Sequence, residues 1–231
     1  MLANTMALSR AGARRRASAT PATLVVLVRH GTTATTGKEL PGRAPGLHLS
    51  DVGERQAKAT ATRIAALQDG KDRRIAAVYA SPLERTRETA APIAEAVGCD
   101  VQIDEGLIEL DIGDWTGMTL SAAMKKPEWR AVQRYPSSFR FPGGESFAEM
   151  LARMVDTLAR LRQAHPGEQV VAVSHADPIR VAVAHAMGSH LDLFQRVVVS
   201  PCSVTAIAIG DDGPTVLTVN STDDTRSFVP Q

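Results

Sequence analysis

Two histidines in this chain close apolar runs, and each is preceded by a polar residue. Leu24-Val25-Val26-Leu27-Val28 leads directly into Arg29-His30-Gly31, and Val170-Val171-Ala172-Val173 leads into Ser174-His175. The first trio suits a phosphate. Arg29 offers a planar fork that takes two oxygens at once. An imidazole nitrogen such as that of His30 can attack phosphorus. Gly31 lets the backbone turn sharply and come close to a ligand. A histidine at the end of one strand is ordinarily a hydrogen-bonded structural residue; it is the repetition that points to chemistry. Two parallel strands ending alike place both imidazoles at one edge of a sheet, where ligands of open α/β sheets bind.

The elements that must position these groups follow from pattern. Both runs are rich in β-branched residues, as strands buried on two faces are. Ile75–Ala80 is a further strand, and it runs into Ser81-Pro82-Leu83-Glu84. That is a capping-box pattern with proline at the first helical position, so a helix is expected to start at Ser81. Arg85 then lies in its first turn, where free N–H groups and the helix dipole favour an anion. Ser50 reads as the N-cap of a helix to about Leu67, with Ala57, Ile64 and Leu67 inward. Val101–Ile103 is a short strand, and the loop after it carries Glu109 and Asp111. Ser146 to Glu149 forms a second capping box. Its helix is expected to bury Phe147, Met150, Leu151, Met154, Leu158 and Leu161 and to stop at His165-Pro166-Gly167. Pro178 to Met187 is a helix ended by Gly188. Val204–Ile209 and Thr215–Val219 are joined too closely to be anything but antiparallel. The expected fold class is α/β: a three-layer sandwich with a mostly parallel central sheet, an antiparallel C-terminal edge strand and helices on both faces.

Composition removes several classes of function. The 231 residues carry 26 Lys and Arg against 25 Asp and Glu, so nothing favours nucleic acid or an acidic membrane as partner. No apolar run approaches the roughly 18 residues of a membrane span. Cys99 and Cys202 are isolated, which fits a reducing, cytoplasmic setting. Residues 1–22 form a basic leader with four arginines and no acid, 23–221 one domain, and 222–231 a polar tail. The segment after His30 imitates a phosphate-binding Gly-Lys loop, but five residues separate Gly31 from Gly37 and Glu39 stands where a metal-binding hydroxyl is required. There is no GxGxxG. Between Met118 and Phe141, Trp129, Tyr135, Phe139 and Phe141 alternate with Lys125, Lys126, Arg130, Arg134 and Arg140, as a lid over the site or a satellite cluster under a long connection would.

In order along the chain stand Arg29-His30-Gly31 with Thr33, Leu49-Ser50, Gly53, Gln56-Ala57, Ser81-Pro82-Leu83 with Arg85, and Thr89-Ala90. After them come Glu109 with Gly113, Trp115 and Gly117, then Gly143-Gly144-Glu145-Ser146, and Val173-Ser174-His175. From about Thr23 to Val219 the chain resembles the histidine phosphatase superfamily, in its phosphoglycerate-mutase-like branch. The resemblance implies that His30 carries the phosphoryl group as a phosphohistidine. Arg29, Arg85 and His175 would hold the non-bridging oxygens and neutralise developing charge. Glu109 would protonate the leaving oxygen and then take a proton from water, with Asp111 as its rival for that role. The cations do the work other phosphatases give to metal ions, so neither metal nor other cofactor is expected.

Two positions depart from the family pattern. Thr36 stands where asparagine normally donates to the bound phosphate, and Ala176 follows His175 where glycine is usual. A hydroxyl can still donate and Ala176 keeps its N–H, so both, with Thr33, remain candidates for substrate binding. The expected function is a metal-independent phosphomonoesterase acting on a small phosphorylated metabolite. A phosphomutase and a non-catalytic binder of phosphorylated ligands are the alternatives. Glu109-Leu110-Asp111-Ile112-Gly113 followed by Asp114-Trp115-Thr116-Gly117 resembles the phosphatase members rather than the mutases. A homodimer is compatible with the family and not required by the sequence.

Overall fold

The computed structural model describes residues 21–68 and 74–222. The leader expected over 1–22 and the tail over 222–231 fall, except for Pro21, Ala22 and Thr222, outside them. In chain order the strands are β1 Thr23–Arg29, β2 Glu39–Leu40, β3 Ile75–Ala80, β4 Val101–Ile103, β5 Met118–Thr119, β6 Gln169–Ser174, β7 Val204–Gly210 and β8 Gly213–Ser221. The α-helices are α1 Asp51–Ala65, α2 Glu84–Val97, α3 Leu120–Ala123, α4 Trp129–Arg134, α5 Phe147–Ala164 and α6 Ala176–Ala186. Six strands form the central sheet in the order β4-β3-β6-β1-β7-β8. The first three pairings are parallel; β7 runs antiparallel to β1, and β8 antiparallel to β7. This is the expected three-layer α/β sandwich. Among the described residues no helix is long and apolar enough to cross a membrane.

The unbroken apolar runs are explained by burial on both faces. Val25 and Leu27 pack on the α5–α6 side, while Val26 and Val28 pack on the α1–α2 side. A strand with a core on either side has no polar face to show.

The register sets the strand ends level. Arg29 pairs with Ser174, and Ala80 with Val173, so the next residues of the three strands are neighbours. The His30 amide donates to the Ser174 carbonyl and the Ser81 amide to the Val173 carbonyl, both at 3.0 Å. His30, His175 and Ser81 therefore stand together at the C-terminal edge of the parallel strands.

Four expectations are corrected. Helix α2 begins at Glu84 with Leu83 as an N-cap that makes no side-chain bond, so Ser81 and Pro82 precede it. The Ser81 hydroxyl instead bonds His175 Nε2 at 2.8 Å. Leu67 lies beyond the end of α1 and is 37% exposed. Helix α6 begins at Ala176, two residues before Pro178, with His175 as its N-cap. The aromatic stretch is not a separate satellite: Trp115, Phe141, Phe147 and Phe194 belong to the main core, with Trp129 and Phe139 packed against it. Ring contacts run from Trp129 through Trp115, Phe141 and Phe147 to Phe194. A two-strand ribbon of β2 and β5 ties the loop after His30 to this region, and two-residue strands leave no periodic trace to read.

Candidate active site

His30 is buried at the end of β1, and its Nδ1 lies 2.8 Å from the Gly31 carbonyl. A carbonyl only accepts, so Nδ1 carries the proton and Nε2 keeps its lone pair. Burial, followed by the charges of Arg29 and Arg85, holds the ring well below the usual imidazole range. The result is a neutral imidazole with a free nucleophilic nitrogen. Gly31 serves a different purpose from the one expected. A Cβ there would meet the Gly53 carbonyl oxygen at 2.7 Å, so the bare Cα admits the first turn of α1 rather than a ligand. The Gly31 amide is held by the Thr89 hydroxyl at 3.0 Å.

His175 is fully buried, 5.2 Å from His30 between ring centroids, in an edge-on arrangement. Its Nε2 meets the Ser81 hydroxyl at 2.8 Å. A Ser81 hydroxyl that donates there leaves the ring proton on Nδ1, which has no hydrogen-bond partner among the described residues. That Nδ1 lies 3.8 Å from Glu109 Oε2. Burial first, then Arg85, His30 and Arg29, keep this imidazole neutral as well.

Two guanidiniums complete the cationic wall. Arg85, wholly buried, donates from Nη2 to the Gly42 carbonyl at 2.9 Å, while its Nε and Nη1 find no partner among the described residues. Arg29 donates from Nη1 to the Val199 carbonyl at 2.7 Å, and its Nε has no partner among the described residues. Burial lowers the affinity of both for their protons, Arg29 to about 10. Unpaired buried donors cost free energy, about 1–3 kcal/mol each and more for charged groups. An anion with several oxygens, bound at this edge, would satisfy them together.

Glu109 accepts the Leu110 amide on Oε1 at 2.9 Å, and its backbone carbonyl accepts from Arg43 Nε at 2.8 Å. Burial, and next the Asp177 charge, raise its carboxyl to about 7 against the pull of Arg85 and Arg29. Such a group can give and take a proton near neutrality. Asp111 faces elsewhere: its Oδ1 accepts the Gly113 amide and its Oδ2 lies 3.7 Å from Arg43. Of the two acids, only Glu109 reaches the histidines.

Thr33 and Thr36 bond to each other across the turn that follows the nucleophile. The Thr36 hydroxyl accepts the Thr33 amide at 2.9 Å and contacts the Thr33 hydroxyl at 3.0 Å. Ala176 opens α6 directly after His175, where a first-turn amide has no intrahelical partner. His48 pairs with Glu88, His165 with Tyr79 and Glu168, and His190 with Asp192, all apart from this cluster. Sequence reasoning overlooked Ser81 as the partner of His175, Thr89 under Gly31, and the Gly42 carbonyl under Arg85. Ser81 did leave a signal, but one that reads first as a helix cap.

Against known proteins, the model of the histidine phosphatase superfamily (branch 1) matches residues 25–222. A bifunctional protein of Mycobacterium tuberculosis is 35% identical over 204 residues, 87% of this chain but 54% of that protein. The chain thus spans about half the length of that relative. Phosphoserine phosphatase 1 of Hydrogenobacter thermophilus is 34% identical over 203 residues, 86% of this chain and 92% of its own. Among solved structures, a mycobacterial glucosyl-3-phosphoglycerate phosphatase in complex with VO3 superposes with a TM-score of 0.76 at 25% identity, covering 86% of this chain and 99% of that one. The paired imidazoles at one sheet edge, the arginines beside them and the family match over residues 25–222 agree: the chain belongs to the histidine phosphatase superfamily, branch 1.

Proposed function

We propose that this protein is a phosphatase that hydrolyses small phosphomonoesters through a phosphohistidine on His30, without a metal ion. The observation that carries the reading is a neutral His30 with a free Nε2, 5.2 Å between rings from His175, at an edge where Arg29, Arg85 and His175 hold buried donors without a partner among the described residues. In the first step Nε2 forms a bond to phosphorus and the P–O ester bond breaks. The leaving oxygen takes the Glu109 proton and departs as the alcohol. In the second step water attacks phosphorus, its proton passes to the Glu109 carboxylate, and the P–N bond breaks to release phosphate. Arg29, Arg85 and the His175 Nδ1–H hold the equatorial oxygens and neutralise the developing negative charge, as a metal ion does elsewhere. The Ala176 amide, at the positive end of α6, adds a further donor. Thr33 and Thr36 keep the turn beside the nucleophile in shape, and a hydroxyl proton left over from their mutual contacts is available to the phosphate.

Relatives with phosphatase names support hydrolysis over phosphoryl transfer between substrate positions. They also make phosphorylated amino acids and phosphorylated carboxylic acids the first substrates to try. The test is a quench at high pH during turnover of a 32P-labelled ester. An alkali-stable, acid-labile phosphoprotein is expected from the wild type and none from His30→Ala, with EDTA changing neither rate nor labelling. Activity lost on chelation and restored by a divalent cation would overturn the mechanism.

A further inference from the structure

Between Ile108 and Ile112 the chain is neither helix nor strand, yet side chains from distant elements hold the carbonyls around Glu109. Arg153 on α5 donates from Nη1 to the carbonyls of Gly106 and Ile108, both at 2.8 Å. The Ser174 hydroxyl takes the Leu107 carbonyl between them at 2.7 Å. Arg43 Nε takes the carbonyl of Glu109 itself at 2.8 Å. Glu145 stands between the two arginines. Arg153 grips both of its oxygens, and Arg43 Nη2 reaches Oε2 at 3.0 Å.

The bond from Arg43 differs from the others in what lies across the peptide. The Glu109 carbonyl and the Leu110 N–H belong to one planar unit and, with no cis bond among the described residues, point opposite ways. That N–H donates to Glu109 Oε1 at 2.9 Å. Arg43 therefore fixes one end of a rigid plate whose other end holds the acid's own carboxyl. Oε2 is left 3.8 Å from His175 Nδ1. A plate free to turn would carry the N–H off Oε1 and the carboxyl away from the histidines. One residue back, the Gly42 carbonyl accepts from Arg85 Nη2 at 2.9 Å. The Gly42–Arg43 pair thus spans from the phosphate-holding arginine to the acid, two groups on separate elements.

We propose that Arg43 is a positioning residue of the hydrolysis: by holding the Glu109–Leu110 peptide, with Glu145 as its anchor, it aims the Glu109 carboxyl at the leaving oxygen. Its guanidinium matches that task, with Nε on the carbonyl, Nη2 on Glu145 and Nη1 3.7 Å from Asp111. A single ammonium cannot span these sites at once. This rests on the phosphatase reading given above, because it needs Glu109 as the acid.

A double-mutant cycle separates aiming from bracing. Arg43→Met should lower kcat on alkyl phosphates about 10–100-fold, the scale of a small misplacement of a reacting group. Nitrophenyl phosphate should lose far less, and inorganic phosphate should bind as it does to the wild type. In a Glu109→Gln background no acid is left to aim, so the same replacement should lower alkyl-ester turnover by no more than about twofold further. Arg43→Lys keeps the charge beside Glu145 but gives up the fork. It should melt with the wild type and lose alkyl-ester turnover in the same sense, and it carries the test if Arg43→Met does not fold. Equal losses on the two ester types, or a full second loss in the Glu109→Gln background, would overturn the proposal and leave Arg43 a structural brace. So would undiminished alkyl-ester turnover in Arg43→Lys. A wild type that hydrolyses neither ester would sink the phosphatase reading and the role of Arg43 with it, whereas hydrolysis with an additive cycle sinks the role of Arg43 alone.

Discussion

Replacing Glu109 by glutamine tests the site through stability as well as rate. The carboxyl is raised from 4.5 to about 7, chiefly by burial. A folded-state value above the unfolded one means the folded protein holds the proton more tightly. The contribution is therefore fully present below the unfolded value and is lost as pH rises through about 7. At about 1.4 kcal/mol per pH unit, the wild type carries a penalty of about 3 kcal/mol at pH 8.5 that is absent at pH 4. Glutamine keeps the shape and cannot ionise, so Glu109→Gln should melt close to the wild type at acid pH and above it at pH 8.5. For a chain of this size the gap is on the order of 6–12 °C. The same variant should lose about a hundredfold or more in kcat on alkyl phosphates, in line with general-acid catalysis worth roughly 10²–10⁴. Nitrophenyl phosphate, whose leaving group needs little protonation, should lose far less. The assay is a pair of thermal melts at the two pH values with turnover on both ester types. A Tm gap that does not change with pH would refute the burial argument. Equal rate losses on the two esters would refute the acid role.

Ser81→Ala strips a buried His175 nitrogen of its partner among the described residues and should cost about 1–3 kcal/mol of stability. It also frees the ring to change tautomer, so kcat should fall by roughly 10²-fold, as for loss of one transition-state donor; imidazole 15N shifts would show the changed tautomer. Arg85→Met removes a buried cation with two nitrogens unpaired among the described residues, so Tm should stay within a few degrees or rise while calorimetry finds inorganic phosphate binding lost. Gly31→Ala should lower stability by about 1–3 kcal/mol, measured by urea unfolding, and impair activity, because its Cβ would press on the Gly53 carbonyl at 2.7 Å; an unperturbed variant would show that the contact between the His30 loop and α1 is slack.

Much of this protein was legible without coordinates. Apolar runs with no polar face announced strands with cores on both sides, and Val25 to Val28 divide between those cores as expected. Ser146 and Glu149 form the reciprocal cap their spacing promised, because a capping box is closed within four residues and depends on nothing distant. His30, Arg85, Glu109 and His175 were named from residue type, strand ends and family spacing; the strand register sets the two histidines at one edge, and Glu109 comes within 3.8 Å of His175 there. What the chain could not reveal locally was how each group is held. Ser81 is suited both to capping a helix and to binding an imidazole, and only the pairing of β3 with β6, which sets it beside His175, decides between them. Gly31 is equally free to face a ligand or a helix, and the approach of Gly53 from a separate element settles that. Asp111 and Glu109 are two residues apart and chemically alike; Arg43 and the Gly113 amide draw one into the loop while burial against Arg85 and His175 leaves the other at the site. Local patterns determine which elements form and which side chains their ends display. The proton each side chain holds, and the direction it faces, depend on neighbours distant in sequence and arise only when the sheet assembles.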